Sequence, residues 1–390
     1  MIDMQKTLNI LLRVFLLFRK ESLKPRAMGF KAKVFMVGAY PPPISGLSVV
    51  NAAMCERLKN DGAMLDVIDI GGKSLDRSFS IRAGRFPIVL KGFSRFFMSS
   101  VRRAALYISV SGSLGQVYEM LFLFVARLRH MRIFLHHHSY AYLDKKRFVT
   151  ECLVRIAGKN ATHIALCENM GRSLIGCYPQ IEKLVIISNA AIIHSGQRSD
   201  LTSRSTMKTL GFLGNISAEK GIFEFLDVVD QLSKRRPKPE VRALIAGPFE
   251  SKSVETKFRV LHKALPNVTY LGPQHGKEKE CFFQDIDILL FPTKYINEAE
   301  PVTIHEAMSY GIPVVAWQRG CIKNIVSHES GLVVEQHEDF VSAAVNYLSD
   351  LISSPSVYHK LSASAYKQYA TQRGTYQKAL DALCKDIIAG

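Results

Sequence analysis

The sequence predicts an α/β protein built from two doubly wound domains that face a central cleft. Three observations carry that expectation: a length suited to two domains, a strand–helix alternation through both halves, and a polar stretch between them with no hydrophobic period. At 390 residues the chain can hold about two domains of ordinary size. Its 47% apolar and 22% charged residues are the balance of a globular protein with buried cores.

Residues 33–37 (KVFMV) form a short apolar run ending at Gly38, and residues 209–213 (TLGFL) repeat the pattern ahead of Gly214. Each leads through a Gly- or Pro-bearing polar loop into a helical pattern, the opening of a βα unit. Further strands are expected in the first half at 65–70, 105–110, 133–137, 162–166 and 184–187, with helices at 49–59 and 116–129. In the second half strands are expected at 241–246, 268–271, 286–291, 313–316 and 331–334, with helices at 222–234, 254–264, 301–310 and 339–350. Such alternation implies parallel sheets covered on both faces. The boundaries that follow are an apolar and basic extension (1–30), a first Rossmann-like domain (31–195), a linker (196–207) and a second Rossmann-like domain (208–370). A helix in 371–390 could pack back on the first domain. In open sheets of this kind ligands lie off the carboxyl ends of the strands, so the loops after the strands should line the cleft.

The charge is less ordinary. Fifty-one Lys and Arg against 34 Asp and Glu give +17 and a pI near 9.5, a field that attracts polyanions. Much of the excess lies in the first half, at Arg19, Lys20, Arg82, Arg85, Lys91, Arg95, Arg102, Arg103, Arg127, Arg129 and Arg132. Phe86, Phe93, Phe96 and Phe97 are interleaved with it. Alternation of charge with apolar residues favours an anionic membrane face as partner over nucleic acid, with a merely solvated basic surface as the plain alternative. Residues 8–18 are apolar apart from Asn9 and Arg13, well short of the ~20 that span a bilayer. No convincing cleavage site follows. An interfacial helix and a helix packed on the domain fit equally. Seven scattered cysteines without a C-x-x-C pair read as reduced thiols. The expected location is cytoplasmic, peripheral at the cytoplasmic face of the membrane.

The strongest motif is residues 297–313 (NEAEPVTIHEAMSYGIP), where a buried strand runs into a polar loop and then a helix. Pro301 suits a first helical turn, and Gly311 with Pro313 suits the exit. Free N–H groups around Pro301, Val302 and Thr303 can hold a diphosphate, and a helical carboxylate such as Glu306 can accept ribose hydroxyls. Glu298 stands in the loop just before. A second loop, from Gly214 through Asn215 and Lys220 to Gly221, places a cation after the seventh strand. A third, ending at Ser45 and Gly46, is proline-bearing and does not follow G-x-G-x-x-G, which disfavours a nicotinamide fingerprint. His136, His137 and His138 end a strand, but successive side chains point to opposite faces and no carboxylate lies at ligand spacing, so no metal is expected. Asp285 and Asp287 open a hydrophobic strand and receive no metal role either.

The E-x7-E from Glu298 to Glu306, with Ala307, Met308, Gly311 and 313–316 behind it, closely resembles the retaining GT-B glycosyltransferases of family 4. The resemblance runs from Gly272 to Val334 and includes Pro273, Gly276, Lys279, Asp287, Ile288, Phe291, Pro292 and Thr293. It implies that Glu298 contacts the transferred sugar near the reacting carbon and that Glu306 binds the nucleotide ribose. The backbone of Pro301, Val302 and Thr303 would approach the donor's sugar and phosphates. Gly214 and Lys220 match the family's G-R-x4-K-G phosphate clamp. Asn215 stands where the family has Arg, which weakens the clamp unless Lys294 or Lys279 substitutes. Of two glycines usual in the proline-bearing loop, Gly46 is kept and Ser45 replaces the other. The family's strand-end histidine aligns with His138, or with His137 after a one-residue shift. With Glu298 it would orient and stabilise a sugar cation, while Lys220 neutralises the departing diphosphate.

The implied activity is transfer of a hexosyl or other glycosyl group from a UDP- or GDP-sugar to a glycan or lipid-linked acceptor. It would proceed with retention, without cofactor or metal, in surface polysaccharide or lipopolysaccharide assembly. A related GT-B epimerase or phosphorylase is the near alternative. A basic nucleic-acid-binding α/β protein is the distant one, and it leaves Glu298, Glu306 and Lys220 without a role.

Overall fold

The structure, a computed structural model, describes residues 33–72, 85–99, 104–112, 115–193, 206–235 and 239–389. The first sheet consists of β1 (Lys33–Gly38), β2 (Met64–Asp69), β3 (Ala105–Val110), β4 (Arg132–His137), β5 (Thr162–Ala165) and β6 (Lys183–Ile186). These pair in parallel in the order β2-β1-β3-β4-β5-β6. Its helices are α1 (Gly46–Asn60), α2 (Phe86–Met98), α3 (Gly115–Leu128), α4 (Ala141–Asp144), α5 (Phe148–Ala157), α6 (Glu168–Cys177) and α7 (Asn189–Ile192). The second sheet holds β7 (Thr209–Leu213), β8 (Arg242–Ala246), β9 (Val268–Gly272), β10 (Ile288–Phe291), β11 (Val314–Trp317) and β12 (Gly331–Val334). Its order is β12-β11-β10-β7-β8-β9, again all parallel. Around it lie α8 (Ile222–Ser233), α9 (Lys252–Lys263), α10 (Lys277–Asp285), α11 (Val302–Ser309), α12 (Ile322–Ile325), α13 (Phe340–Ser353) and α14 (Pro355–Ile388). The expected strands all form, with ends within two residues of expectation.

Strand alternation divides each sheet between two cores. Phe35, Val37, Leu106, Ile108 and Leu135 pack under α2, α3 and α5 through Val89, Phe96, Phe122 and Leu153. Val34, Met36, Ala105, Tyr107 and Phe134 pack on the other face against α1 and the end of α14. In the second sheet Phe212, Ile245, Leu290 and Val315 meet α8 and α13, while Leu213, Leu289, Val314 and Ala316 meet α10 and α11. Burial on both faces is why these strands read as apolar runs.

The helix expected in 371–390 is the end of one helix that begins at Pro355. Tyr358 and Leu361 lie in the second lobe's core, and Leu380, Leu383, Cys384 and Ile387 lie in the first lobe's core. At 34 residues the helix is about 50 Å long, enough to strap one lobe to the other. Arg57–Asp381 (2.8 Å) and Arg132–Asp386 (3.0 Å) tie its far end.

One expectation is overturned. Cys167 and Cys321 form a disulfide across the two lobes, so the cysteines are not all reduced thiols. They lie 154 residues apart, and only the packing of α6 against the segment before α12 brings them together. The expected extension 1–30 lies outside the described residues, as do Arg19, Lys20, Arg82, Arg102, Arg103 and nearly all of the expected linker 196–207. Among the described residues no helix is long and apolar enough to cross a membrane.

Candidate functional site

Strand order fixes where a site can form. In the second sheet the chain lays down β7, β8 and β9 toward one edge, then jumps back so that β10 pairs with the other side of β7. The loops after β7 and β10 therefore diverge and leave a crevice at the carboxyl ends, the usual ligand position in such sheets. In the first sheet the same reversal falls between β1 and β3.

Lys220 and Glu298 come from the two loops at the second reversal and meet in a direct ion pair, Nζ on Oε2. Thr293 Oγ1 donates to the same carboxylate oxygen at 3.3 Å. The ammonium also lies 4.8 Å from the Tyr295 ring centroid, a cation–π contact. A glycine makes this approach work. Gly221 has φ +80°, and a Cβ there would stand 2.0 Å from the Pro292 carbonyl oxygen. Only a residue without a side chain lets the two loops close on each other. Behind Glu298, Gly320 (φ +54°) leaves room for the Glu298 and Ala299 carbonyls, and Cys321 N–H donates to Ala299 O at 2.7 Å.

Pro301 caps α11, so the N–H groups of Val302 and Thr303 are in its unpaired first turn. Glu306 is buried on α11, and its Oε1 accepts from Lys279 Nζ at 2.5 Å. Gly214 and Asn215 follow β7, half-buried at the base of the Lys220 loop. Of the two cations that could replace the arginine missing at Asn215, Lys294 is drawn off to Glu224 (2.6 Å) and the Trp317 ring (4.6 Å). Lys279 is the one joined to a site carboxylate. Asp287 accepts N–H from Lys208 and Thr209, both at 2.9 Å, at the amino end of the sheet away from the crevice. An open groove of about 920 Å³ also lies at that amino end, along Lys208, Arg242 and Asp287, opposite the carboxyl ends where such sheets place their ligands.

The first lobe closes over this crevice. Gly46, at the start of α1, faces Val302: a Cβ on it would lie 4.0 Å from Val302 Cγ2. Ser45 is committed to capping α1, its hydroxyl accepting from Ser48 N–H and its own N–H donating to Ser48 Oγ. The N–H of Gly46 lies in the first turn of α1. Ser139, just past β4, donates to Asn297 Oδ1 at 2.9 Å, next to Glu298. Gly112 presses on the same amide, with room for no Cβ. Glu300 grips the other lobe more firmly, accepting from Ser188 Oγ at 2.7 Å and from Asn189 N–H at 2.5 Å. Arg319 holds Asp144 through both guanidinium nitrogens, at 2.8 and 2.5 Å.

His138 sits between β4 and Ser139, its ring 4.0 Å from that of His136, and its buried Nε2 has no hydrogen-bond partner among the described residues. Burial pulls it down to about 3, so the imidazole is neutral in the physiological range. Burial also lowers His136 and His137, the latter hydrogen-bonded to Tyr142 and to His163 at 2.9 Å each. Among the described residues no three His, Cys, Asp or Glu side chains are arranged to hold a metal ion.

Sequence reasoning missed Asn297, Glu300, Arg319 and the pair Gln116 and Glu119. The last two, one turn apart on α3, clamp Ser111 at the end of β3. Glu119 Oε1 accepts its N–H at 3.0 Å, and Gln116 donates to its carbonyl at 2.8 Å. Burial raises Glu119 to about 7. Buried polar residues inside an apolar helix were the available signal.

The fold these features define is GT-B. Residues 195–368 match the family model described as glycosyl transferases group 1. A D-inositol 3-phosphate glycosyltransferase of Corynebacterium efficiens is 29% identical over 136 residues, 34% of this chain and 32% of that protein. The chain thus aligns with only about a third of that relative's length. Among solved structures, Anabaena Alr3699/HepE in complex with UDP superposes with a TM-score of 0.67 at 15% identity, covering 91% of this chain and all of that one. WaaG, described as a glycosyltransferase involved in lipopolysaccharide biosynthesis, superposes with a TM-score of 0.63 at 13% identity over 92% of this chain and all of that one.

Proposed function

We propose that the chain transfers a glycosyl group from a UDP- or GDP-sugar to a glycan or lipid-linked acceptor with retention, in surface polysaccharide or lipopolysaccharide assembly at the cytoplasmic membrane face. The observation that carries this reading is the meeting of Lys220 and Glu298 at the reversal of the second sheet, beside the free N–H groups of α11 and the Lys279–Glu306 pair. A diphosphate placed there would be balanced by Lys220 and the helix start, with its ribose against Glu306. The UDP in the Anabaena structure makes a uridine donor the first to try.

The acceptor hydroxyl would attack the anomeric carbon from the side the diphosphate leaves. The bond from that carbon to the phosphate oxygen breaks, the new glycosidic bond forms, and the departing phosphate oxygen takes the acceptor's proton. Lys220 and the α11 amides would stabilise the charge that grows on the leaving group. Glu298 would stabilise the sugar cation. His138, held neutral, would serve as a hydrogen-bonding group near the sugar. No step calls on a metal, so activity should survive chelation with EDTA.

The test is transfer from UDP-glucose or GDP-mannose to lipid-linked glycan extracts, read by mass spectrometry, with the product's anomeric configuration read by NMR. Glu298→Ala and Lys220→Ala should abolish transfer in a folded protein. Normal turnover in either would refute the assignment. Release of free UDP with an epimerised sugar and no acceptor would identify an epimerase instead.

A further inference from the structure

The outward sides of α2 and α3 form an apolar face that nothing in the mechanism uses. On α3, Val117, Leu121, Phe124 and Leu128 are 44–49% exposed. At 100° per residue their spacing puts all four within about 60° of the helix circumference. A solvated helix carries charge on that side, whereas α3 holds just Glu119, turned into the core, and Arg127. The neighbouring α2 adds Phe86 and Leu90, 58% and 51% exposed, with Phe97 on the same stripe. The two helices are locked side by side: Phe93 and Phe96 each lie 5.5 Å from Phe122, and Arg129 donates to the carbonyls of Phe96 and Phe97. The face is therefore a rigid surface and not a pair of loose helices.

Charge decides what it fits. Between residues 85 and 132 the sequence holds eight Lys and Arg against a single carboxylate, the buried Glu119. Lys91 and Arg127 are exposed beside the apolar stripes, while Arg95, also exposed, is paired with Asp66. A second copy of the chain would bring the same cations together. An anionic bilayer offers hydrocarbon to the stripes and phosphate to their margins.

We propose that the α2–α3 face docks on an anionic lipid surface. Because α3 starts just past Ser111 and Gly112, at the rim that touches Asn297, docking sets the mouth of the crevice beside the headgroups. The docking itself stands without the glycosyl-transfer reading; presentation of a lipid-linked acceptor to the crevice rests on that reading.

The experiment uses the full chain and its Leu121→Gln/Phe124→Gln variant, with vesicles of phosphatidylglycerol mixed equally with phosphatidylcholine and with pure phosphatidylcholine. Unchanged circular dichroism and UDP-sugar binding establish that the variant is folded, since neither residue lies in the site. Wild type should sediment with the anionic vesicles, less so at high salt, and weakly with the neutral ones. The variant should lose about tenfold in partitioning, and Lys91→Glu should lose binding to anionic vesicles alone. Equal binding of wild type and variant would overturn the proposal and place any membrane contact elsewhere in the chain. A wild-type dimer that the variant turns into a monomer would overturn it in favour of self-association. A chain that binds vesicles through this face yet fails to bind any nucleotide sugar would sink the glycosyl-transfer reading and leave docking intact.

Discussion

The two sheets reverse their strand order at equivalent places yet equip the two reversals differently. At β7/β10 the loops carry paired charges, Lys220 with Glu298 and Lys279 with Glu306 nearby. At β1/β3 the loops are neutral: Ser45 is spent on a cap and Ser111 is clamped at both backbone atoms, while past the neighbouring β4 His138 is held uncharged. The difference suits a division of labour in which the second lobe takes an anionic diphosphate and the first holds an uncharged hydroxyl partner over it. A common fold thus does not dictate the chemistry; the residues placed at its reversal do.

The sharpest way to break this comparison is kinetic. Glu298→Gln should lower turnover by about 10²–10³-fold with the fold unchanged, and His138→Ala should cost less. Initial rates of sugar transfer decide it, and the reverse ranking would move the chemistry to the first lobe. Next in size is the link between the lobes. Cys321→Ser, compared with the oxidised wild type, should reduce stability by about 2–4 kcal/mol in denaturant titration. Equal stability would show the disulfide to be dispensable.

A third effect separates the lobes by pH. Glu119 rises from 4.5 to about 7, so between those values the folded state keeps a proton that the unfolded chain releases, and stability falls as pH rises across the window. The ceiling is about 3 kcal/mol. Glu119→Gln should flatten that fall. The buried histidines act in the opposite sense. Their ordinary 6.5 is lowered to about 3 at His138 and about 4 at His163, so stability present above pH 6.5 is lost as pH falls toward those values. Hydrogen exchange near pH 5 should therefore show β4 and β5 opening before β7 and β10. Smallest is Lys279→Ala or Glu306→Ala, each raising the donor Kd by about tenfold. Because the pair is in contact, the double variant should cost less than the sum of the two.

The strands were legible because buried parallel strands are apolar runs, and Lys220, Glu298 and Glu306 could be singled out because the first two sit in Gly- and Pro-punctuated loops and the third on the helix that follows. The short helices α4, α7 and α12 gave no signal, since a single turn has no period to read. The disulfide was hidden by the sequence separation of 154 between its cysteines. Phe86, Phe93, Phe96 and Phe97 looked alike in sequence, but the helical period turns Phe96 into the core and Phe86 outward. The lobe-bridging roles of Asn297, Glu300 and Arg319 depend on partners from the other half of the chain, which no local pattern announces.

The claim on which the rest depends is that the crevice at β7/β10 binds a nucleotide diphosphate sugar. Differential scanning fluorimetry of wild type and of Lys220→Ala/Glu306→Ala with UDP-glucose and GDP-mannose addresses it directly. One of the two donors should raise the wild-type melting temperature and leave the double variant unmoved. An equal rise in both proteins would place the nucleotide elsewhere and contradict the assignment.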